Sequence, residues 1–389
     1  MRKHISITML LIATVTVVVI FAFFGLSNVH ALVACPITDG GVGDGDGTAD
    51  GTITLNDGGT TTWTPSDATA FDCSTLSLHV TNSSTLAIDQ DPTNGWLGEL
   101  LFINVTIDAG SKIEADSEGC LTETGPDSST NICADQSDAK EGADHDSTGG
   151  GGAHAGNGGT GSQAGSVGGT HYDDIFSPDQ FGAGGGTSTP NANGGTGGGV
   201  IHLTISGDLV NAGTISANGG AGTVTSTIEV GGGGAGGSVK VVITGDLSGA
   251  GVFEAIGGAG ANSSWDGGGG GGGVVYVQYG TTAIGTALEA QVDVSGGSGN
   301  DVGVAGDAGS AIIKDSTLTD VYFLEGNSYA SHLETPTLCS TGTCTFANDF
   351  TISASATLKF EYNAGYAGDS TISIANDLTV NGTLNLGHD

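Results

Sequence analysis

The sequence predicts an all-β chain wound as a right-handed parallel β-helix, a β-solenoid whose coils carry glycine-rich loop excursions. Three observations carry this expectation. Blocks of alternating apolar residues recur at a nearly constant interval, 73 of the 389 residues are glycine, and no stretch has the long amphipathic pattern of a helix.

Residues 1–31 read as an export signal. Arg2 and Lys3 precede the apolar run Ile5 to Phe24, and Val29-His30-Ala31 supplies the small residues of a signal-peptidase site, so cleavage after Ala31 is expected. The run is also about 20 residues long, enough for an uncleaved anchor. Leu32-Val33-Ala34-Cys35 resembles a lipobox, although polar Ser27, Asn28 and His30 interrupt the apolar run before it. Export to a secreted or cell-surface location follows under all three readings.

Residues 32–75 form an N-terminal cap with an acidic loop from Asp39 to Asp50, and residues 76–118 carry the first coils, with Leu101 to Ala115 as the pattern. Residues 119–199 are a Gly/Ser/Asp-rich loop region poor in apolar side chains. Within it, 147–170 is open to two readings, disorder or hydrogen-bonded extended glycine helices. Residues 200–315 hold the clear repeats. Starts at Val200, Ser238, Val274 and Ala311 lie 38, 36 and 37 residues apart, a period of about 37. Each block has a β-branched strand, a corner such as Gly207-Asp208-Leu209 or Gly245-Asp246-Leu247, a short second strand and a glycine-rich excursion. The corner glycines are expected to supply positive φ and close backbone approach. Residues 316–389 return to ordinary coils in a pattern cut short, as in a fragment of a longer protein.

Charge narrows the partners. Asp and Glu number 42 against seven Lys and Arg, a formal net charge of −35, and no arginine follows Arg2. Nucleic acid and anionic membrane surfaces both need a basic patch, so neither is expected, and a membrane enters only through an N-terminal anchor. Six cysteines in an exported chain predict disulfides, and proximity suggests Cys35–Cys73, Cys120–Cys133 and Cys339–Cys344.

Candidate chemistry is sparse. Asp44, Asp46 and Asp50 place oxygens at alternate positions of a loop, as a calcium ion requires, but Ala49 and Leu55 stand where an EF-hand has glycine and glutamate. Gly296 to Asp301 matches the start of a calcium-binding nonapeptide repeat, which works only in tandem. His171-Tyr172-Asp173-Asp174 is the one local run joining acid and imidazole, and it reads as a solvated loop. His145 and His154 also read as solvated loop histidines, without zinc spacing. No catalytic residue and no cofactor beyond structural calcium is expected. Thr60 to Thr64 forms a cluster rather than the ladder an ice-binding face needs, and sequons occur at Asn82, Asn104, Asn262 and Asn381.

The Leu-x-Ile-x-Ala-Gly coils together with Gly233-Gly234-Ala235-Gly236-Gly237-Ser238-Val239-Lys240-Val241 resemble the glycine-rich parallel β-helix repeats of bacterial and archaeal surface proteins, and the general architecture of autotransporter-type adhesin passengers. That resemblance covers roughly residues 76–389 and implies adhesion or surface structure. The expected function is a non-catalytic structural or adhesive protein presenting an acidic face to glycans, cells or neighbouring subunits. The alternative is a polysaccharide lyase or glycoside hydrolase of the pectin-lyase-like class. It is disfavoured because lyases of that class commonly use an arginine base and hydrolases need a basic substrate clamp.

Overall fold

The computed structural model describes residues 32–37, 45–65, 70–95, 97, 99–127, 131–134, 140–144, 147–173, 177–188, 193–226, 228–280 and 291–316, and, as backbone strands, 321–329, 339–340, 343–346, 350–352, 356–359, 371–374, 378–380 and 383–385. The signal segment, Asp44, His145 and Asp174 lie outside the described residues. The elements described are all β-strands, mostly in parallel pairs.

Alternating apolar residues make short strands that bury one face. Among the described residues, successive passes of the chain deliver such strands to three sheets in turn. The first sheet stacks Leu32–Ala34, Ala70–Cys73, Leu100–Phe102, Val200–Ile205, Ser238–Ile243, Val274–Tyr279 and Ser310–Asp315 in parallel. The second stacks Thr52–Leu55, Ser77–Val80, Val105–Ile107, Leu209–Asn211 and Leu247–Ser248. The third stacks Thr60–Trp63, Thr85–Ile88, Lys112–Glu114, Thr214–Ser216, Val252–Glu254 and Val292–Asp293. Val321–Tyr329 then runs antiparallel to Ser310–Asp315, and parallel pairing resumes with Phe350–Ile352 and Ala356–Lys359.

Register sharpens the period. Val200 pairs with Ser238, Ser238 with Val274 and Val274 with Ser310. The last block thus begins one residue before the expected Ala311, because Ser310 is a buried polar strand start, as Ser238 is two passes earlier. Equivalent side chains stack inward: Ile53, Leu78, Val105, Leu209 and Leu247 on the second sheet, and Leu86, Ile113, Ile215 and Phe253 on the third. Each fully buried Leu, Ile, Val or Phe contributes roughly 1.5–3 kcal/mol of transfer free energy, so every pass adds to one continuous core.

Corners are held by side-chain ladders. Asn104 Oδ1 accepts the Asp208 N–H at 2.9 Å, and Asp208 Oδ1 accepts the Asp246 N–H at 2.8 Å. The preceding glycines serve that ladder. Neither Gly207 nor Gly245 has positive φ, but a Cβ on Gly245 would strike Asp208 Oδ1 and lie 2.6 Å from the Gly207 carbonyl. Space, rather than handedness, requires glycine at this corner. Gln90 mends a buried gap in the strand pairing in the same manner. Leu100–Phe102 reaches only Leu203–Ile205, and the buried Gln90 amide binds both the N–H and the carbonyl of Val200, at 2.7 and 2.6 Å.

The glycine-rich segments do not leave the strands as projecting loops. They pack against one another with hydrogen bonds of period three. Along 231–237, the N–H groups of Gly231, Gly234 and Gly237 reach the carbonyls of Thr223, Gly220 and Ala217. Those of Gly232 and Ala235 reach Gly186 and Ala183, while those of Gly233 and Gly236 reach Gly268 and Gly271. Segment 267–273 repeats the pattern, with 267, 270 and 273 bonding to 261, 258 and 255, 268 and 271 to 149 and 152, and 269 and 272 to 304 and 307. A pleated strand serves two neighbours, whereas an extended helix of three residues per turn serves three. Within 147–170, the N–H groups of 149 and 152 reach 230 and 233, those of 150 and 153 reach 143 and 140, and those of 151 and 154 reach 159 and 156, so 149–154 takes the second of the two readings, with turns following it. A side chain is excluded by close approach: a Cβ on Gly234 would collide with the Thr196 carbonyl, and one on Gly270 with that of Gly234.

Two disulfides, Cys35–Cys73 and Cys120–Cys133, are formed. Cys339 and Cys344 stand directly opposite each other in an antiparallel strand pair, and their side chains lie outside the description.

Candidate functional site

Three clusters outside the core bear on function. The first is a buried knot. His154, expected as a solvated loop residue, is fully buried, and its partner Asp173 is nearly so. Its Nδ1 lies 2.8 Å from the Gly236 carbonyl and its Nε2 2.8 Å from Asp173 Oδ2. A carbonyl only accepts, so Nδ1 donates, and the bond at Nε2 requires one further proton shared with the Asp173 carboxyl. Ser238 Oγ lies 3.2 Å from Asp173 Oδ2 and 2.8 Å from the Gln180 carbonyl. The Tyr172 ring sits 5.0 Å from the imidazole, with Lys140 Nζ 5.0 Å from the Tyr172 ring centre. The expected run His171 to Asp174 is split, since His171 turns to Asn157 at 3.1 Å while Asp173 turns to His154. Both members of the pair are sealed from solvent, so the geometry ties a glycine-rich segment to the first sheet and offers no route to a substrate.

The second cluster is acidic. Thr187 donates its N–H to Asp144 Oδ1 at 3.1 Å and its hydroxyl to Glu123, and burial, opposed by the Thr187 bond and reinforced by Glu123, holds the Asp144 carboxyl above its usual range. Burial likewise raises Glu118, with nearby Asp89 and Glu114 adding to it. In the loop expected to hold calcium, Asp46 accepts the Thr48 N–H at 2.9 Å and the Thr54 hydroxyl at 2.9 Å, bonds that keep its carboxyl below the usual range. Asp50 accepts the Thr52 N–H at 3.0 Å. The described carboxylates of this loop thus bind its own turns. Among the described residues no group of three or more His, Cys, Asp or Glu side chains is gathered for a metal. Thr60 and Thr62 face Thr85 and Ala87, beyond which stand Lys112 and Glu114, so no threonine ladder forms.

The third cluster is a meeting of three loops at the glycine bundle. Asn262 and Asp266 close a five-residue loop that exposes Trp265. The Asp266 carbonyl accepts the Ser162 N–H, its own N–H donates to Ser162 Oγ at 3.0 Å, and its Oδ2 accepts the Val302 N–H at 3.0 Å. Val304 N–H reaches the Thr160 carbonyl. Around this junction Trp265 is 37% exposed, Val302 66% and Val304 53%. The sequence marks Asn262 as a sequon and Gly296 to Asp301 as a nonapeptide start, both beside this junction, but nothing in it joins them to Trp265. Compared with known proteins, the chain matches no family model, no curated protein and no solved structure.

Proposed function

We propose that the chain is an exported, non-catalytic structural or adhesive protein, a right-handed β-solenoid whose glycine bundle stiffens a display surface at or beyond the cell envelope. One observation carries the reading: glycine segments from successive passes are locked by period-three hydrogen bonds, and loops at their junction present apolar side chains to solvent. Rigid extended segments that end in exposed tips suit recognition more than turnover, because binding loops gain from a scaffold that does not move. The two disulfides fit an oxidising compartment. The net charge of −35 keeps such a surface soluble and repels anionic partners.

Adhesion of beads coated with the chain from residue 32 onward, to cells and to immobilised glycans, tests this. Specific retention supports it. Cleavage of pectic or other acidic glycans, with or without calcium, overturns it in favour of a polysaccharide enzyme. Calcium at the Asp44–Asp50 loop is tested by chelation: a lowered melting temperature restored by Ca2+ supports a structural ion, and an unchanged one removes it.

A further inference from the structure

We propose that the junction of the three loops around Trp265 and Asp266 is a binding site for a neutral saccharide ring. The inference rests on the adhesive reading above and names what that surface would hold. The exposed indole lies in the loop closed by Asn262 and Asp266, and Val302 and Val304 add exposed apolar contact beside it. An indole face suits the C–H face of a pyranose, which is apolar on one side and hydroxylated at its rim.

The second observation is at the base of the same loop. Asp266 is only 3% exposed, its Oδ2 is taken by the Val302 N–H, and its buried Oδ1 has no hydrogen-bond partner among the described residues. A buried carboxylate oxygen without a donor is costly, and a ligand hydroxyl that reaches it as the covering loop yields is a neutral donor of the right size to relieve it. Charge selects among ligands, since a chain of net charge −35 repels uronates, sulfated sugars and phosphates.

Saturation-transfer NMR on the whole exported chain tests the assignment, with a panel of neutral hexoses, N-acetylhexosamines and their disaccharides. Galacturonate and a cationic amphipathic peptide serve as comparators. The expected result is transfer to ring C–H protons of at least one neutral sugar, an affinity loss of tenfold or more in W265A, a smaller loss in W265F and weakened binding in D266N. Trp265 is 37% exposed, so W265F, which keeps an aromatic ring in the loop, serves as the stability control for W265A, and melts of both are recorded. If D266N does not fold, the two Trp265 variants decide the matter. No neutral sugar bound at millimolar concentration, binding indifferent to W265A, or transfer confined to galacturonate or the peptide would each overturn the site. Bead adhesion separates the two readings. Equal adhesion by wild type and W265A removes the sugar site and leaves the adhesive function, whereas sugar binding without adhesion does the reverse.

Discussion

His154 and Asp173 meet where neither can reach water, so each is satisfied only by the other and by groups around them. Removing one partner of such a pair leaves the other's charge buried and uncompensated, at a cost of about 3–5 kcal/mol. H154A is therefore expected to lower the midpoint of urea denaturation strongly and to expose the amides around Gly236 to hydrogen exchange. Glu118 makes a different prediction. Burial, then Asp89 and Glu114, raise its folded pKa above 4.5, so the folded chain holds this proton more tightly than the unfolded chain does. The destabilisation from its charge is absent below pH 4.5 and complete above the raised folded value. E118Q should thus melt above the wild type at neutral pH, and the gap should close as pH falls through that window. Thermal melts at several pH values check it.

At the scale of elements, two kinds of glycine separate cleanly. Gly47 has φ of +66° with open space around it, whereas Gly234 lacks positive φ but faces the Thr196 carbonyl. G47A costs about 1 kcal/mol through backbone conformation. G234A must push two extended segments apart, and overpacking of this kind costs about 1–3 kcal/mol or more. Melting temperatures of the two variants should differ in that order, and only G234A should accelerate amide exchange across 183–186 and 217–223. The corner ladder is milder. D208A removes the acceptor of the Asp246 N–H, worth about 1 kcal/mol, and D208N should restore it because an amide oxygen accepts equally well.

Among the described residues the three parallel sheets stack pass upon pass, so neighbouring passes support one another. Cys35–Cys73 joins neighbouring strands of the first sheet across 38 residues. Replacing both cysteines by serine should cost about 4 kcal/mol by loop-closure entropy, read as a lowered denaturation midpoint. Limited proteolysis addresses the interior: residues 200–280 and 291–316 should resist cleavage as one unit, and rapid cutting throughout them would refute the stacked arrangement.

Sequence alone determined the β class, the period and the corners, because side-chain alternation and Gly-Asp-Leu spacing are local signals written in each block. It also suggested the partners of Cys35 and Cys120, since nearness along the chain favours those pairs. The knot, the bundle and the tip were decided only by the tertiary structure. His154 finds a carbonyl 82 residues away, and Asp266 is seated between Ser162 and Val302. A glycine run has no side chain with which to specify its neighbours. Its partners are set by which strands it connects and by how closely backbones approach, and both exist only once the passes have stacked.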